Sequence, residues 1–495
     1  MRTILKNDRV SVGIKGADEI LGGGLLKGQV YLVCGGPGTG KTIFGMHFLS
    51  AGLKEGESVL FISMAEHENQ IKTNMQLLGF DTSGINFLDL VPKSEFFLES
   101  KVYNIFSPAE VELQPMSELI IKAVKSTQPT RVFIDSMTQF RYLSTDDFQF
   151  RRQVLSLFQF LRDQNATILC SSEGTTQQPD DDLKFICDGI FQLSSVDETR
   201  KISITKFRGS TFRSGNHALG ITDTGIQVFP KLLPKETRIE ITPTLISSGI
   251  PGIDKMLSGG LERGTITLIT GPPGVGKTTL GLEFLIEAAR QEERSVIYCF
   301  EEGLDTLTRR SQGINIPIDK MVKAGTLSLV SIEPLLLIPD ELNQLIRQEV
   351  EEKQTKVVMI DSVVGYKIAL RGDDLLRYLH GLCKYLQNMG VTVLLVNETE
   401  TLTGEFRVTD VGISYLADNL IFLRYYELEG ELHRSIGILK KRMNDHEKTL
   451  REFHITSKGI EVGEILTGMQ GILRGIPDIV EKGSGGGSRR TTLRG

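Results

Sequence analysis

Short, continuous apolar runs recur along the 495-residue chain, separated by longer stretches of helical periodicity. In the first half the runs are Val30–Cys34, Val59–Ser63, Arg131–Ile134 and Thr167–Ser171. In the second they are Thr265–Thr270, Ser295–Phe300, Lys356–Ile360 and Thr392–Val396. They are rich in Val, Ile and Leu and do not alternate with polar residues. Parallel strands covered on both faces read this way. Towards the end of each half the pattern changes. Lys201–Thr205 and Ile436–Leu439 alternate, which predicts antiparallel strands added at a sheet edge. The predicted fold is α/β, a mostly parallel central sheet flanked by helices, built twice.

The duplication is visible in the text of the chain. Val12-Gly13-Ile14-Lys15-Gly16-Ala17-Asp18-Glu19-Ile20-Leu21 matches Ser248-Gly249-Ile250-Pro251-Gly252-Ile253-Asp254-Lys255-Met256-Leu257. Gly13 and Gly249 stand 236 positions apart (249 − 13). A period this long marks a repeated domain and not a solenoid. Prolines 230, 234 and 243 cluster among charged residues at the junction. The expected division is a first domain over 1–235, a second over 236–480, and a flexible Gly/Ser/Arg tail over 481–495.

Composition narrows the class only slightly. Hydrophobic content of 40% and charged content of 24% are those of an ordinary globular chain. A net charge of −6 argues against constitutive nucleic-acid binding. No apolar segment resembles a signal peptide or a membrane span, so a cytoplasmic protein without a membrane partner is expected. The cysteines Cys34, Cys170, Cys187, Cys299 and Cys383 form no C-x-x-C pair and read as reduced core residues.

Chemistry enters with two phosphate-binding loops. Gly35-Gly36-Pro37-Gly38-Thr39-Gly40-Lys41-Thr42 and Gly271-Pro272-Pro273-Gly274-Val275-Gly276-Lys277-Thr278 both satisfy G-x-x-x-x-G-K-[ST]. Each follows a strand-like run and opens a helical stretch, the context the motif requires. The glycines let backbone N–H groups and a helix N-terminus converge on phosphate oxygens. Lys41 and Lys277 would reach the β- and γ-phosphates, and Thr42 and Thr278 would hold Mg²⁺.

Carboxylates follow. Asp135 and Asp361 close the third run of each half, where a P-loop enzyme positions Mg²⁺ and its waters. An aspartate capping the next helix would read the same. After the second run come Glu301-Glu302 in one half and Ala65-Glu66-His67 in the other. A carboxylate beside the γ-phosphate can accept a proton from water or a hydroxyl, whereas a solvated acidic turn is the plain alternative. Two basic motifs, Lys206-Phe207-Arg208 and Lys440-Lys441-Arg442, recur late in each half. In ring-shaped P-loop enzymes such residues often act on a neighbour's nucleotide.

Taken together, these residues resemble the KaiC family of duplicated RecA-like ATPases over about residues 10–465. The resemblance rests on the Gly22-Gly23-Gly24-Leu25 approach, both P-loops, Glu301-Glu302, the Lys-x-Arg motifs and the segment Val408–Asp418. It implies two RecA-like domains and a homohexamer with Mg²⁺ and ATP at subunit interfaces. It further implies hydrolysis in the first half, serine/threonine autophosphorylation in the second, and Kai-type or other signalling partners. By the same resemblance Glu301 is the general base with Glu302 beside it. Lys206, Arg208, Lys440 and Arg442 reach the neighbour's nucleotide, and Ser414 is the phosphoserine. Three departures stand out. Tyr415 occupies a family threonine position, Ala65 a family glutamate position, and the tail after Pro477 differs from that of the clock proteins. Two other readings of the same core are a DNA-associated motor or recombinase, and an ATP-binding scaffold with little turnover.

Overall fold

A computed structural model of the chain describes residues 8–91, 108–142, 144, 146–174, 180–196, 199–232, 239, 243–370, 374–399, 412–474, 478 and 479. The expected tail and part of the segment 408–418 lie outside these residues. The chain divides into two compact units, Met1–Lys231 and Leu232–Gly495. Each is built on a nine-stranded mixed sheet.

In the first unit the strands are β1 (Val30–Cys34), β2 (Val59–Ser63), β3 (Asn86–Asp89), β4 (Arg131–Asp135), β5 (Thr167–Ser172), β6 (Gly189–Val196), β7 (Thr199–Phe207), β8 (Asn216–Thr222) and β9 (Gly225–Phe229). Their spatial order is β9-β8-β7-β6-β1-β5-β4-β2-β3. Six strands from β6 to β3 run parallel, and β7, β8 and β9 add antiparallel pairs at one edge. In the second unit β10 (Ile266–Gly271), β11 (Ser295–Cys299), β12 (Leu327–Ser331), β13 (Val357–Asp361), β14 (Thr392–Glu398), β15 (Asn419–Leu428), β16 (Glu431–Lys441), β17 (Arg451–Thr456) and β18 (Gly459–Ile465) take the order β12-β11-β13-β14-β10-β15-β16-β17-β18. The two orders are the same, read from opposite ends.

Every expected apolar run forms a strand, with ends displaced by two residues or fewer. The edge strands β3 and β12 escape the apolar pattern because they are short and half-exposed, so polar residues such as Asn86 and Ser328 sit within them. The central strands β1 and β2 are buried at every position. Apolar side chains from both faces of each sheet build two clusters per unit. All five cysteines are free and lie buried.

Helices α1 (Lys41–Lys54) and α2 (Lys277–Arg290) follow β1 and β10 and pack very close to their sheets. A β-carbon at Gly45 would lie 2.1 Å from the Phe133 ring, and one at Gly281 would lie 2.6 Å from the Met359 methyl group. Each P-loop is thus clamped between a central strand and a helix with no room to slide. The start of β4 is tied down by Arg131, fully buried, which pairs with Glu55 at 2.8 Å and with Glu57. It also donates to the Ser11 and Phe48 carbonyls at 2.7 and 3.0 Å. A buried guanidinium is tolerated only when its donors are met in this way.

Candidate nucleotide sites

Each P-loop turns from the C-terminal end of a central strand into a helix through a glycine that only glycine tolerates. Gly40 has φ of 100° and Gly276 of 112°, the left-handed region. Nothing lies within 4 Å of where side chains at Gly36 and Gly38 would start, so the loop is open on its outer side. Gly36, Pro37 and Gly38 are exposed, as are Pro273 and Gly274, while Pro272 and Val275 are buried under the loop.

In the second unit the site is most complete. Lys277 is buried and donates from Nζ to the Pro272 carbonyl at 2.8 Å. Thr278 hydrogen-bonds the Asp361 carboxylate. Glu301 accepts from the Ser362 hydroxyl. Glu302 is gripped at both oxygens by Arg310, at 2.8 and 3.2 Å, and Arg310 also donates to Thr279 Oγ1 at 3.1 Å. These side chains, with Glu398, Arg434 and Ile455, line a cavity of about 460 Å³.

The electrostatics of the cavity are unbalanced. Burial pushes Asp361 up to about 6; the Thr278 hydrogen bond opposes this, and Glu301 and Glu302 push further in the same direction. Burial lowers Lys277, against the pull of Glu398, Asp361 and Glu301. Several carboxylates therefore face one recessed ammonium, an arrangement that a divalent cation would relieve. A hydroxyl and a carboxylate are hard oxygen donors, and Mg²⁺ typically takes one or two such groups plus waters and substrate phosphate. No cluster of three or more His, Cys, Asp or Glu arranged to hold a metal occurs among the described residues. The residues present therefore fit Mg²⁺ bound together with a nucleotide phosphate.

The first unit repeats the frame with fewer charges. Lys41 is buried and donates to the carbonyls of Gly35 and Gly36 at 2.9 and 3.0 Å. Thr39 donates to the Gly36 carbonyl at 2.8 Å, bracing the loop. Thr42 donates to Asp135 Oδ2 at 2.7 Å, and Ser171 donates to the other oxygen. At the end of β2, Ala65 and Glu66 are both exposed. The Glu66 carbonyl accepts from Ser63, and His67 is engaged by Asp89 at 3.0 Å. Asn74 stands where Arg310 stands in the second unit (310 − 236), so Glu66 has no matching arginine at that position.

The remaining expected residues lie apart from the P-loops. Lys206 donates to the Lys184 and Phe185 carbonyls at 2.7 and 3.0 Å, and Arg208 approaches Asp188 at 3.5 Å. Lys440 donates to the Ala417 carbonyl at 2.6 Å and reaches the Ser414 carbonyl at 3.5 Å. Arg442 pairs with Asp418 at 3.0 Å. Burial and the adjacent arginine lower both Lys206 and Lys440. Ser414 sits half-buried in the single turn Ile413–Tyr415, with Tyr415 exposed and stacked on His380. Neither Ser414, Lys440 nor Arg442 is among the residues lining the Lys277 cavity. Sequence reasoning missed Arg310, Ser362, Glu173 and Glu398. Glu173 and Glu398 each lie two residues past the fourth apolar run of their half, a place that no motif marks.

Comparison with known proteins gives a concordant result. A family model described as "ATPase: KaiC" matches residues 10–232 and again residues 246–467. The circadian clock oscillator protein KaiC of Parasynechococcus marenigrum is 27% identical, over 96% of this chain and 94% of its own length. The circadian clock protein KaiC3 of Synechocystis is 28% identical over 95% and 94%. The circadian clock oscillator protein KaiC of Synechococcus elongatus is 28% identical over 94% and 91%.

The raised Asp361 carboxyl generates a test with a definite sign. A folded-state value near 6, above the unfolded one, means that ionising Asp361 costs folding stability, and that the cost is fully present above about pH 6. Asp361→Asn is expected to raise the melting temperature of nucleotide-free protein at pH 7.5 by a few degrees, on the order of 2–6 °C. The gain should shrink as the pH falls towards 4. The same variant should lose most of the extra stabilisation that Mg-ATP provides. Thermal scans with and without Mg-ATP at both pH values measure both effects.

Proposed function

The chain belongs to the KaiC family of ATPases, and on that premise we propose that it binds Mg-ATP twice, once in each of two domains spanning 1–235 and 236–480. The observation that carries this reading is the repeated Lys–Thr–Asp constellation: Lys41, Thr42 and Asp135 in one unit, Lys277, Thr278 and Asp361 in the other. Residues 36–42 and 272–278 cradle the phosphates, and each Thr–Asp pair holds the ion. Mg-ATP, when bound, supplies an activated γ-phosphoryl group.

The division of labour follows the carboxylates. Glu66 orients water in the first domain for hydrolysis. In the second, Glu301 is aimed by Ser362 and takes a proton, while Glu302 is fixed by Arg310. The proton acceptor accounts for a serine autokinase: Glu301 would take the proton of the Ser414 hydroxyl as its oxygen bonds to the γ-phosphorus and the bond from that phosphorus to the β–γ bridging oxygen breaks, releasing ADP. Ser414 lies outside the lining of its own chain's Lys277 cavity, which supports transfer between neighbouring chains. The same need for a neighbour supports a closed head-to-tail ring of six chains. In that ring Lys206, Arg208, Lys440 and Arg442 stabilise charge on the adjacent nucleotide. Phosphate on Ser414 adds about −1.5 to −2 charges beside Lys440, a change that a signalling or Kai-type partner could read. A timing or signalling role in the cytoplasm completes the reading, in keeping with the clock proteins it is similar to.

Two outcomes test it. With Mg-ATP, light scattering should give a mass near six times 54.9 kDa, and a monomer under those conditions would contradict the ring. After incubation with Mg-ATP, phosphate mapped by mass spectrometry should fall on Ser414 and vanish in Ser414→Ala. Glu301→Gln should slow incorporation roughly 10²–10⁴-fold, as loss of a positioned base does. Tyr415→Phe should change little, because the phenol oxygen stands too far from the backbone for the same in-line approach. Phosphate on Tyr415 alone, or none despite bound ATP, would overturn the autokinase assignment.

A further inference from the structure

Both P-loop lysines face a glutamate that belongs to no recognised motif. Lys41 Nζ lies 3.9 Å from Glu173 Oε1, and Lys277 Nζ lies 3.8 Å from Glu398 Oε2. The placement is dictated by strand pairing. In β10 and β14, Gly271 is the direct partner of Glu398, so the carboxylate stands beside the first residue of the loop. In the first unit Gly35 donates to the Ser172 carbonyl at 3.2 Å, and Glu173 is the next residue.

Two features separate this pair from incidental surface charge. The halves have drifted in length: the P-loop lysines are 236 positions apart (277 − 41), yet the glutamates are 225 apart (398 − 173). The carboxylate has kept its station against the lysine through that change. The folded state also has little need of it. The glutamate side chains are 47% and 37% exposed, and ion pairs that open to solvent add little to folding stability. Each lysine already donates to carbonyls of its own loop.

We infer that Glu173 and Glu398 are counter-ions that respond to the γ-phosphate: each holds the P-loop lysine when no triphosphate is bound and is displaced when a nucleoside triphosphate claims that lysine. A γ-phosphate brings negative charge to a lysine already neutralised by the glutamate, so carboxylate and phosphate compete. A diphosphate brings no third phosphoryl group and is opposed less. The glutamates therefore set how strongly each site prefers triphosphate over diphosphate. They keep affinity for triphosphate below what the loop alone would give. This inference rests on the reading that both halves bind nucleoside triphosphates.

The test is equilibrium calorimetry on the full-length chain with Mg²⁺, using ADP and a non-hydrolysable ATP analogue. The quantity read is the ratio of the two dissociation constants. Glu173→Gln/Glu398→Gln keeps shape and removes charge. It should raise the preference for the triphosphate analogue roughly ten-fold, the scale of one like charge removed at close range under partial screening. Glu173→Asp/Glu398→Asp keeps the charge and should stay within about two-fold of the parent, by the same reasoning. Equal tightening of both nucleotides, or no change in the ratio, would overturn the inference while leaving nucleotide binding intact. Failure of the parent chain to bind either nucleotide would overturn both this inference and the nucleotide-binding reading beneath it.

Discussion

Parallel strand pairing is the constraint from which the site follows. Because neighbouring central strands point the same way, their C-terminal ends meet along one edge of each sheet. In the second unit this register sets Cys299 against Asp361, Asp361 against Val396, and Gly271 against Glu398. Ser63 against Asp135 and Cys34 against Ser172 repeat it in the first. Residues separated by well over a hundred positions therefore end within a few ångströms of one phosphate-binding loop. The helix that follows the loop then aims its N-terminal N–H groups at the same place. Shifting any one strand by a residue would turn its carboxylate to the wrong face of the sheet.

That edge collects negative charge, and the two units handle it differently. In the second unit Glu301, Glu302, Asp361 and Glu398 crowd Lys277, and only Arg310 and Arg434 add positive charge to the cavity wall. Burial raises the Asp361 carboxyl, and Glu301 and Glu302 add to the rise. Ala65 removes one carboxylate from the corresponding place in the first unit, and Asn74 replaces the arginine. The duplicated frames thus carry different side chains after the same strand. On the reading proposed above, that difference would let one chain run two phosphoryl-transfer reactions at separate rates.

Much of this is legible in the sequence. Runs such as Val59–Ser63 announce themselves because a strand buried on both faces has no polar positions to hide among. Thr42 with Asp135, and Thr278 with Asp361, are recognisable because each threonine ends a complete P-loop motif and each aspartate closes a buried apolar run. The edge strands Asn86–Asp89 and Leu327–Ser331 were not, since half-exposed strands mix polar and apolar residues. Arg310 was invisible because its partner Glu302 is eight residues away, across a turn and a helix, with no motif linking them. The carbonyls held by Lys206 and Lys440 could not be read from sequence either, since they belong to the ends of short helical turns, and every such end offers free acceptors. Glu173 and Glu398 required the strand register, because the drift in length between the halves hides their equivalence.

The repeated Lys–Thr–Asp constellation predicts two separate nucleotide sites in one chain. Equilibrium dialysis of the full-length protein with Mg²⁺ and a non-hydrolysable ATP analogue counts them directly. Two nucleotides should bind per chain of the parent protein, and one per chain of Lys41→Ala or of Lys277→Ala. A parent stoichiometry of one, or two retained by either variant, would contradict it.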